Sequence, residues 1–412
     1  MLSQEENELL TRVGPGTPMG ALMRRYWVPA LFADQIAVPD CPPVRVGLLG
    51  EKLVAFRDSE GRPGLLDERC PHRTASMFFG RNEECGLRCV YHGWKFDVEG
   101  KCVDLPSEPP GSNFQDEISI TAYPCHEQGG VVWAYMGPAE LKPEFPALEW
   151  TLVPDSSRLA SRHLQECNWL QGLEGGFDTS HLAFLHKGSS QAPRGVPTRY
   201  EVIPKDFGFV VGTGRDQTDG EIMWTANVMA MPFHKIIATE PFGAHCWVPV
   251  DDHHTMLYSV DFRPDKPLTD DDLALSRDFR HIHAEMIPGT DHTVANKGND
   301  YLIDREVQAS GASYSGMWGL SVQDCAVQES MGPVADRTVE HLGVSDTAII
   351  QIRRLLLKAV KDLQEGGTPP GLKADSYRVR SARFLTPVNV AFGDVVDERV
   401  ALEAPAVMDA LN

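Results

Sequence analysis

The chain has 412 residues, with 38 Lys and Arg against 58 Asp and Glu, a formal net charge of −20. Its 42% hydrophobic and 23% charged residues are ordinary globular values, which excludes disorder as the main state. So acidic a chain lacks the positive face that nucleic acid or an anionic membrane requires, so neither is expected as a partner. At roughly 100–200 residues per domain, the length suits a few domains, or one small and one large.

The N-terminal Met1-Leu-Ser-Gln-Glu-Glu-Asn-Glu8 has no basic and no apolar stretch of a signal peptide. No apolar run reaches the ~18 residues of a spanning helix. The expected location is therefore the cytoplasm, where the nine cysteines stay reduced. An odd count at irregular spacing is a poor disulfide framework, and some of these cysteines are candidate metal ligands.

In chain order, Ser3-Gln-Glu-Glu6 is a capping-box pattern opening an amphipathic stretch to about Val13. Gly14-Pro-Gly-Thr-Pro18 breaks it, and a second short helix is expected over Met19–Tyr26. From Val44 to Gly137 the texture becomes short strands between Gly, Pro and Asp turns, as in Lys52-Leu-Val-Ala-Phe56 and Gly130-Val-Val-Trp-Ala-Tyr-Met136. This reads as a small all-β domain, with Pro138–Pro154 as the linker out of it. Beyond, Asn168–His186 is expected to be helical in part. Arg199–Ala230 and His245–Phe262 are expected to form antiparallel strands, with Asp251–His254 as a turn. Thr269–Asp272 is expected to cap a helix running to about Met286. Asp346 caps another, in which Ile349, Ile350, Leu356, Leu357, Val360 and Leu363 recur at helical spacing until Gly366-Gly367 end it. A long helix with an antiparallel sheet is an α+β arrangement.

Two constellations carry chemistry. The first is Cys70-Pro-His72, then sixteen residues, then Cys89-Val-Tyr-His92. Two loops with one Cys and one His each make a four-ligand clamp. Zinc accepts Cys2His2, but zinc-finger pairs are usually Cys–Cys and His–His. A Rieske [2Fe–2S] cluster takes two thiolates on one iron and two imidazoles on the other, which one Cys and one His per loop supplies. Gly93-Trp94 adds a tight turn through which backbone N–H groups could approach the cluster. The remaining cysteines read as small buried apolar residues.

The second constellation is Asp178-Thr-Ser-His181-Leu-Ala-Phe-Leu-His186. Asp178 and His181 share a helical face. His186, five residues past His181, needs an irregular turn to join it. Two His and a carboxylate form the facial triad of a non-haem Fe(II) oxygenase. Asp324, an acid in a small and apolar stretch, is the chosen third ligand; Asp300, Asp304 and Asp336 are the alternatives. His-x4-His is weak alone and gains force from the first motif, because a one-electron donor needs an acceptor.

With these residues in view, the chain resembles the oxygenase component of Rieske non-haem iron aromatic-ring hydroxylating oxygenases. More narrowly, it resembles the phthalate 4,5-dioxygenase-like group, with phenoxybenzoate and chlorobenzoate dioxygenases. The likeness lies in Val13–Trp27, Cys70–Trp94, Glu166–His186, Asn299–Glu306, and Gln323-Asp324 through Asp336-Arg-Thr338. It implies an α+β chain in which an all-β Rieske domain, 26–137, is inserted into a helix-grip catalytic domain, 155–412, with 1–25 belonging to the latter and 138–154 linking them.

It further implies a [2Fe–2S] cluster on Cys70, His72, Cys89 and His92, and a mononuclear Fe(II) on His181, His186 and Asp324. Electrons would come from NADH through a separate flavin and [2Fe–2S] reductase. Similar proteins are trimers or stacked hexamers in which the cluster of one subunit faces the iron of its neighbour. Asp178 would then bridge His92 or His72 of the next chain to its own His181, with Ser180 or Glu174 as alternative bridges. The product would be a cis-dihydrodiol, a hydroxylated or an O-demethylated aromatic compound.

Phthalate-type relatives are expected to grip a dicarboxylate with arginines on the pocket sheet. Gly220–Lys235 and Gly243–Trp247 contain none, and Arg199 and Arg215 are expected to face solvent. An apolar pocket walled by Met223, Trp224, Met229, Met231, Phe233 and Trp247 is therefore expected, for a monocarboxylate, an aryl ether or a neutral aromatic. Two other classes compete: a Rieske electron carrier without oxygenase activity, and a zinc-binding ligand-capture protein.

Overall fold

The computed structural model describes residues 1–109, 112–187 and 197–402. These form two compact units: Arg12–Pro143 with Val248–Asp252, and the rest of the described chain. Helix α1 (Gln4–Thr11) belongs to the larger unit and α2 (Pro18–Met23) to the smaller. The Ser3–Glu6 capping box forms, with Ser3 Oγ accepting from Glu6 N at 3.1 Å and Glu6 Oε2 from Ser3 N at 3.0 Å. Thr17 caps α2 through Gly20 N, and that helix stops at Met23, short of Tyr26.

In the smaller unit, β1 (Trp27–Phe32), β2 (Val44–Leu48), β3 (Glu51–Arg57), β4 (Pro63–Asp67), β5 (Arg81–Glu83), β6 (Gly86–Arg88), β7 (Lys95–Phe96), β8 (Cys102–Asp104), β9 (Cys125–Gln128) and β10 (Val131–Tyr135) make three small antiparallel sheets. Their orders are β1-β10-β9, β2-β3-β4 and β5-β6-β7-β8. Val54, Phe56, Leu66, Met77, Leu87, Trp94 and Phe96 build one apolar core, and Cys70 and Cys89 lie inside it.

In the larger unit, α3 (Glu149–Leu152), β11 (Arg158–Gln165) and α4 (Trp169–Phe177) precede a run of strands. These are β12 (Arg199–Lys205), β13 (Gly208–Asp216), β14 (Glu221–Ala230), β15 (His234–Ile237), β16 (Phe242–Pro249) and β17 (Thr255–Phe262). Then come α5 (Asp270–Arg277), α6 (Arg305–Ser310), α7 (Leu320–Ser330), α8 (Thr347–Gln364), β18 (Ala382–Pro387) and α9 (Phe392–Val400). The strands form one antiparallel sheet, β11-β17-β16-β15-β14-β13-β12. One edge of β14 pairs β13; the other is shared, β18 taking Glu221–Ala226 and β15 taking Val228–Ala230.

Strand alternation sends successive side chains to opposite faces. Even positions of β14 turn to one face, where Trp224 meets Phe392 of α9 with ring centroids 4.7 Å apart. The long α8 buries Ile349, Ile352, Leu356 and Val360 and packs on β12, α4 and α1. This is the expected α+β arrangement.

One helix is shorter than expected. Thr269 caps α5 in a capping box with Asp272, yet α5 ends at Arg277 instead of reaching Met286. Phe279 adopts φ 50°, and His281, Ile282, His283 and Ala284 are all buried in succession. The left-handed backbone at Phe279 ends the helix, and the buried residues beyond it form irregular chain.

Candidate metal centres and substrate pocket

The four cluster candidates occupy two loops of the same construction. Cys70 N donates to Ala75 O at 2.8 Å and Thr74 N to Cys70 O at 2.9 Å; Cys89 N donates to Trp94 O at 2.8 Å and Gly93 N to Cys89 O at 3.0 Å. Each loop thus closes on its own cysteine through a residue in the left-handed region, Thr74 at φ 59° and Gly93 at φ 81°. At Gly93 an added Cβ would lie 2.6 Å from Pro106 Cγ, so both conformation and space demand glycine there. Its N–H is spent on the Cys89 carbonyl rather than aimed outward.

His72 stacks on Trp94 with centroids 4.4 Å apart and planes 9° apart, and meets His92 edge-on at 4.4 Å. The thiols are buried while His72 is exposed and His92 half-exposed. Burial, with the Cys89 thiol close by, pushes Cys70 up to about 11. Among the described residues no three of these four donors converge within 4.8 Å, whereas His181, His186 and Asp324 do. A single tetrahedral ion needs such convergence and a two-iron cluster does not, so the donor set fits [2Fe–2S] better than zinc.

The second set assembles in the larger unit. Helix α4 begins at Asn168, whose side chain accepts from Leu170 N at 3.1 Å. Its glycines permit close approach: an added Cβ on Gly176 would lie 2.3 Å from Trp247 and on Gly175 2.3 Å from Gln328. The helix ends at Asp178, which accepts from Ser180 N at 2.8 Å. A 3-10 turn over His181–Ala183 follows, and Leu185 N donates to His181 O at 2.8 Å. This tightened turn brings residues five apart together, with His181 Nε2 and His186 Nε2 3.2 Å apart.

Asp324 on α7 places Oδ1 3.2 Å from His186 Nε2 and 3.5 Å from His181 Nε2. Burial pushes the Asp324 carboxyl up, but the two imidazoles more than offset this and it stays below its ordinary value. For His186 burial pushes down, and Asp324 prevails to raise it.

The alternatives lie elsewhere. Asp304 N-caps α6, Asp300 is exposed and Asp336 bonds Thr338. Asp178 Oδ2 sits 3.6 Å from His181 Nδ1. Of the other bridge candidates, Ser180 Oγ meets Tyr200 OH at 3.2 Å, and Glu174 is bound by Arg337 and Arg353.

One contributor, quoted from the sequence only as part of the Gln323–Thr338 stretch, is given its role by the structure. Gln323 Oε1 is 2.7 Å from His186 Nδ1, while its Nε2 donates to Ser315 Oγ at 2.9 Å and Met317 O at 3.0 Å. Those two acceptors set the amide orientation, so His186 donates through Nδ1 and Nε2 is left with its lone pair. Only its place beside Asp324 could have signalled it.

These donors border a cavity of about 150 Å3. Every strand residue lining it has an odd number, from Gln165 on β11 to Arg383 on β18. Of the expected walls only Trp247 lines it; Met223, Trp224, Met229, Met231 and Phe233 do not. Trp224 faces α9, and Met229, Met231 and Phe233 are fully buried core.

The expectation of a pocket without arginine is also overturned. Arg215 and Arg383 line it together with Lys235. Arg215 pairs in register with Met223 and Arg383 with Thr225, so the two flank β14 one two-residue step apart on the same face. Arg383 comes from a strand more than 150 residues downstream, which is why the local runs gave no sign of it. Burial lowers both guanidinium groups, and Arg383 lowers Arg215 further. Lys235 Nζ donates to Gly176 O, and burial pushes it down to about 8 against the pull of Asp324 and Asp178. Arg199 pairs with Asp216 at the surface, as expected.

Comparison with known proteins places both units among described families. The family described as the Rieske [2Fe-2S] domain matches residues 26–124, and the one described as LigXa C-terminal domain like matches 227–387. The 3-chlorobenzoate-3,4-dioxygenase oxygenase subunit of Comamonas testosteroni is 40% identical over 97% of this chain and 99% of its own. The phthalate 4,5-dioxygenase oxygenase subunit of Pseudomonas putida is 35% identical over 96% and 94%. Among solved structures, Pseudomonas putida CBB5 NdmA QL mutant with theobromine superposes with a TM-score of 0.62 at 20% identity, covering 87% of this chain and 95% of that one. No described helix is long and apolar enough to cross a membrane.

Proposed function

The chain belongs to the Rieske non-haem iron oxygenases as an oxygenase component, and from that premise we propose that it hydroxylates an aromatic carboxylate. Dioxygen is the oxidant. A separate flavin and [2Fe–2S] reductase passes electrons on from NADH. The observation that carries the substrate class is the pair Arg215 and Arg383 on the pocket face of the sheet, in the same cavity as His181, His186 and Asp324. Guanidinium groups match carboxylate geometry in two parallel hydrogen bonds.

In this reading Cys70, Cys89, His72 and His92 hold the cluster, and His181, His186 and Asp324 hold iron. When bound, the cluster supplies single electrons and the iron a place to activate dioxygen. The protein's residues do the rest. Trp247, Leu257 and Ile237 wall the ring and exclude water. Arg215 and Arg383 orient it by its acid group. Gln323 holds the His186 proton on Nδ1. Asp178 holds His181 and, in a trimer or stacked hexamer, reaches His92 or His72 of a neighbouring copy. The setting is the cytoplasm, where the thiols stay reduced.

The test is metal analysis followed by turnover. The protein should hold about three irons per chain with acid-labile sulfide, and with reductase and NADH should convert benzoate- or phthalate-type acids to hydroxylated products seen by mass spectrometry. Two irons and no product from any aromatic acid would mark an electron carrier. Zinc without sulfide would mark a ligand-capture protein.

A further inference from the structure

A second cavity lies beside the substrate pocket in the larger unit. It is about 240 Å3, and Asp278, Arg280, Ser313 and Gln323 are in its wall, which suits water. Three described residues line both cavities: His186, Leu320 and His281. His186 has Nδ1 on Gln323 and Nε2 beside Asp324. Leu320 has no titratable side chain. That leaves His281.

His281 is 7% exposed, and its Nδ1 has no hydrogen-bond partner among the described residues. The nearest carboxylate oxygen, Asp261 Oδ2, is 3.9 Å away. Asp261, on β17 and 3% exposed, is itself half-satisfied: Oδ2 accepts from His283 Nε2 at 3.2 Å and Ser276 Oγ at 3.4 Å, while Oδ1 has no partner among the described residues. Two buried polar atoms left open side by side are costly to a fold and call for a function. His281 lies on the irregular segment after α5, in the wall of both cavities, and Asp261 stands behind it on β17.

We propose that His281 is the proton-transfer residue between solvent and the oxygen-activating pocket, loaded through the second cavity, with the Asp261 carboxylate 3.9 Å from its Nδ1. This rests on the oxygenase reading. Inserting dioxygen into an aromatic ring as a diol consumes two electrons and two protons; the reductase supplies the electrons, and the protons come from solvent. In the step assigned to His281, an N–H bond of its protonated imidazolium breaks and an O–H bond forms on the oxygen being reduced. The neutral imidazole then takes a proton from water in the second cavity, and buffer neutralises the hydroxide left. Burial keeps the imidazole below its ordinary value, with Asp261 pulling the other way and His283 adding to the lowering, so it gives a proton up readily.

Two measurements test this. In metal-free protein, deuterium exchange at the imidazole C2–H of each histidine is followed by mass spectrometry. His281 should exchange several-fold faster than His163 and His234, which are buried and line neither cavity. Equal rates would remove the solvent route. In the complete system with reductase, His281→Gln and His281→Ala should release hydrogen peroxide at the expense of hydroxylated product, by about 10²-fold. Product formation by His281→Ala should recover with added imidazoles, in the order of their pKa. Unchanged coupling in His281→Gln overturns the proposal, and so does rescue indifferent to imidazole pKa, which marks a packing role. If the parent protein makes no hydroxylated product, the oxygenase reading falls and takes this proposal with it, whereas failure in the variants alone leaves that reading standing.

Discussion

His186 Nδ1 lies 2.7 Å from Gln323 Oε1, and His186 Nε2 lies 3.2 Å from Asp324 Oδ1, so neighbouring residues of α7 hold both nitrogens of one imidazole. Under the proposed assignment the helix would supply a ligand and the group that orients another ligand from a single rigid element. Outer partners of this kind set the tautomer and raise the basicity of the ligating nitrogen.

Removing that partner should therefore weaken the metal without touching the cluster. Gln323→Leu is expected to lose about 10- to 100-fold in iron affinity. Chelator competition monitored by iron release would show it, with the visible spectrum of the cluster unchanged. Iron held as tightly as in the parent would mean that Gln323 only fills space.

The two centres should also separate under mutation. His181→Ala or Asp324→Ala is expected to retain the red-brown spectrum and acid-labile sulfide, to lose the single iron, and to give no hydroxylated product. A mild chelator should do the same reversibly, with activity restored by Fe(II). Surviving turnover in both variants would place the oxygen chemistry elsewhere.

Asp178 sits 3.6 Å from His181 Nδ1, and although burial opposes its charge, His181 and two backbone N–H groups hold its carboxyl below the ordinary value. A carboxylate at neutral pH is what a bridge between imidazoles requires. Asp178→Asn should keep both metals and slow electron arrival at the substrate site in single-turnover experiments. An unchanged rate would reduce Asp178 to the cap of α4.

Substrate selectivity should track the arginines. A hydrogen bond to a charged group is worth about 1.5–3 kcal/mol, so Arg383→Gln should raise KM for an aromatic acid by about 10- to 100-fold. KM for a neutral analogue should stay near that of the parent. A parallel loss on both substrates would show instead that the change disturbs β18.

This pair also shows where sequence reading stops. Strand alternation and metal-ligand spacing are local, and they pointed to the α+β arrangement, to the two loops that bring His72 and His92 together, and to the turn that brings His181 to His186. Asp324 was reachable because a lone acid in an apolar run is conspicuous. The pocket was not legible, because its face depends on which strands share β14. Arg215 and Arg383 are 168 residues apart in sequence and meet only through pairing with Met223 and Thr225. The methionines and Trp224 misled for the same reason: hydrophobicity marks burial but not which face of the sheet is buried against what. The helix expected to reach Met286 stops at Arg277, because the chain turns left-handed at Phe279, and a clean N-terminal cap says nothing of where a helix ends.

The last prediction concerns the support beneath α4. Glu174 accepts from Arg337 Nη2 at 2.9 Å and Arg353 Nε at 2.6 Å, and Arg353 also forks onto Glu340. Burial pushes the Glu174 carboxyl up, yet the two guanidinium groups prevail and its folded value lies below the ordinary 4.5. A carboxyl depressed in the folded state contributes stability that is fully present above its unfolded value and is lost as pH falls through the folded one. Removing one member of such a buried network leaves charge uncompensated and costs about 3–5 kcal/mol. Glu174→Ala should therefore be destabilised by that order in urea unfolding at pH 7. The gap to the parent should narrow only below about pH 4.5, as the parent's own carboxyl becomes protonated. A constant gap across that range would mean that Glu174 stabilises α4 by packing and not by charge.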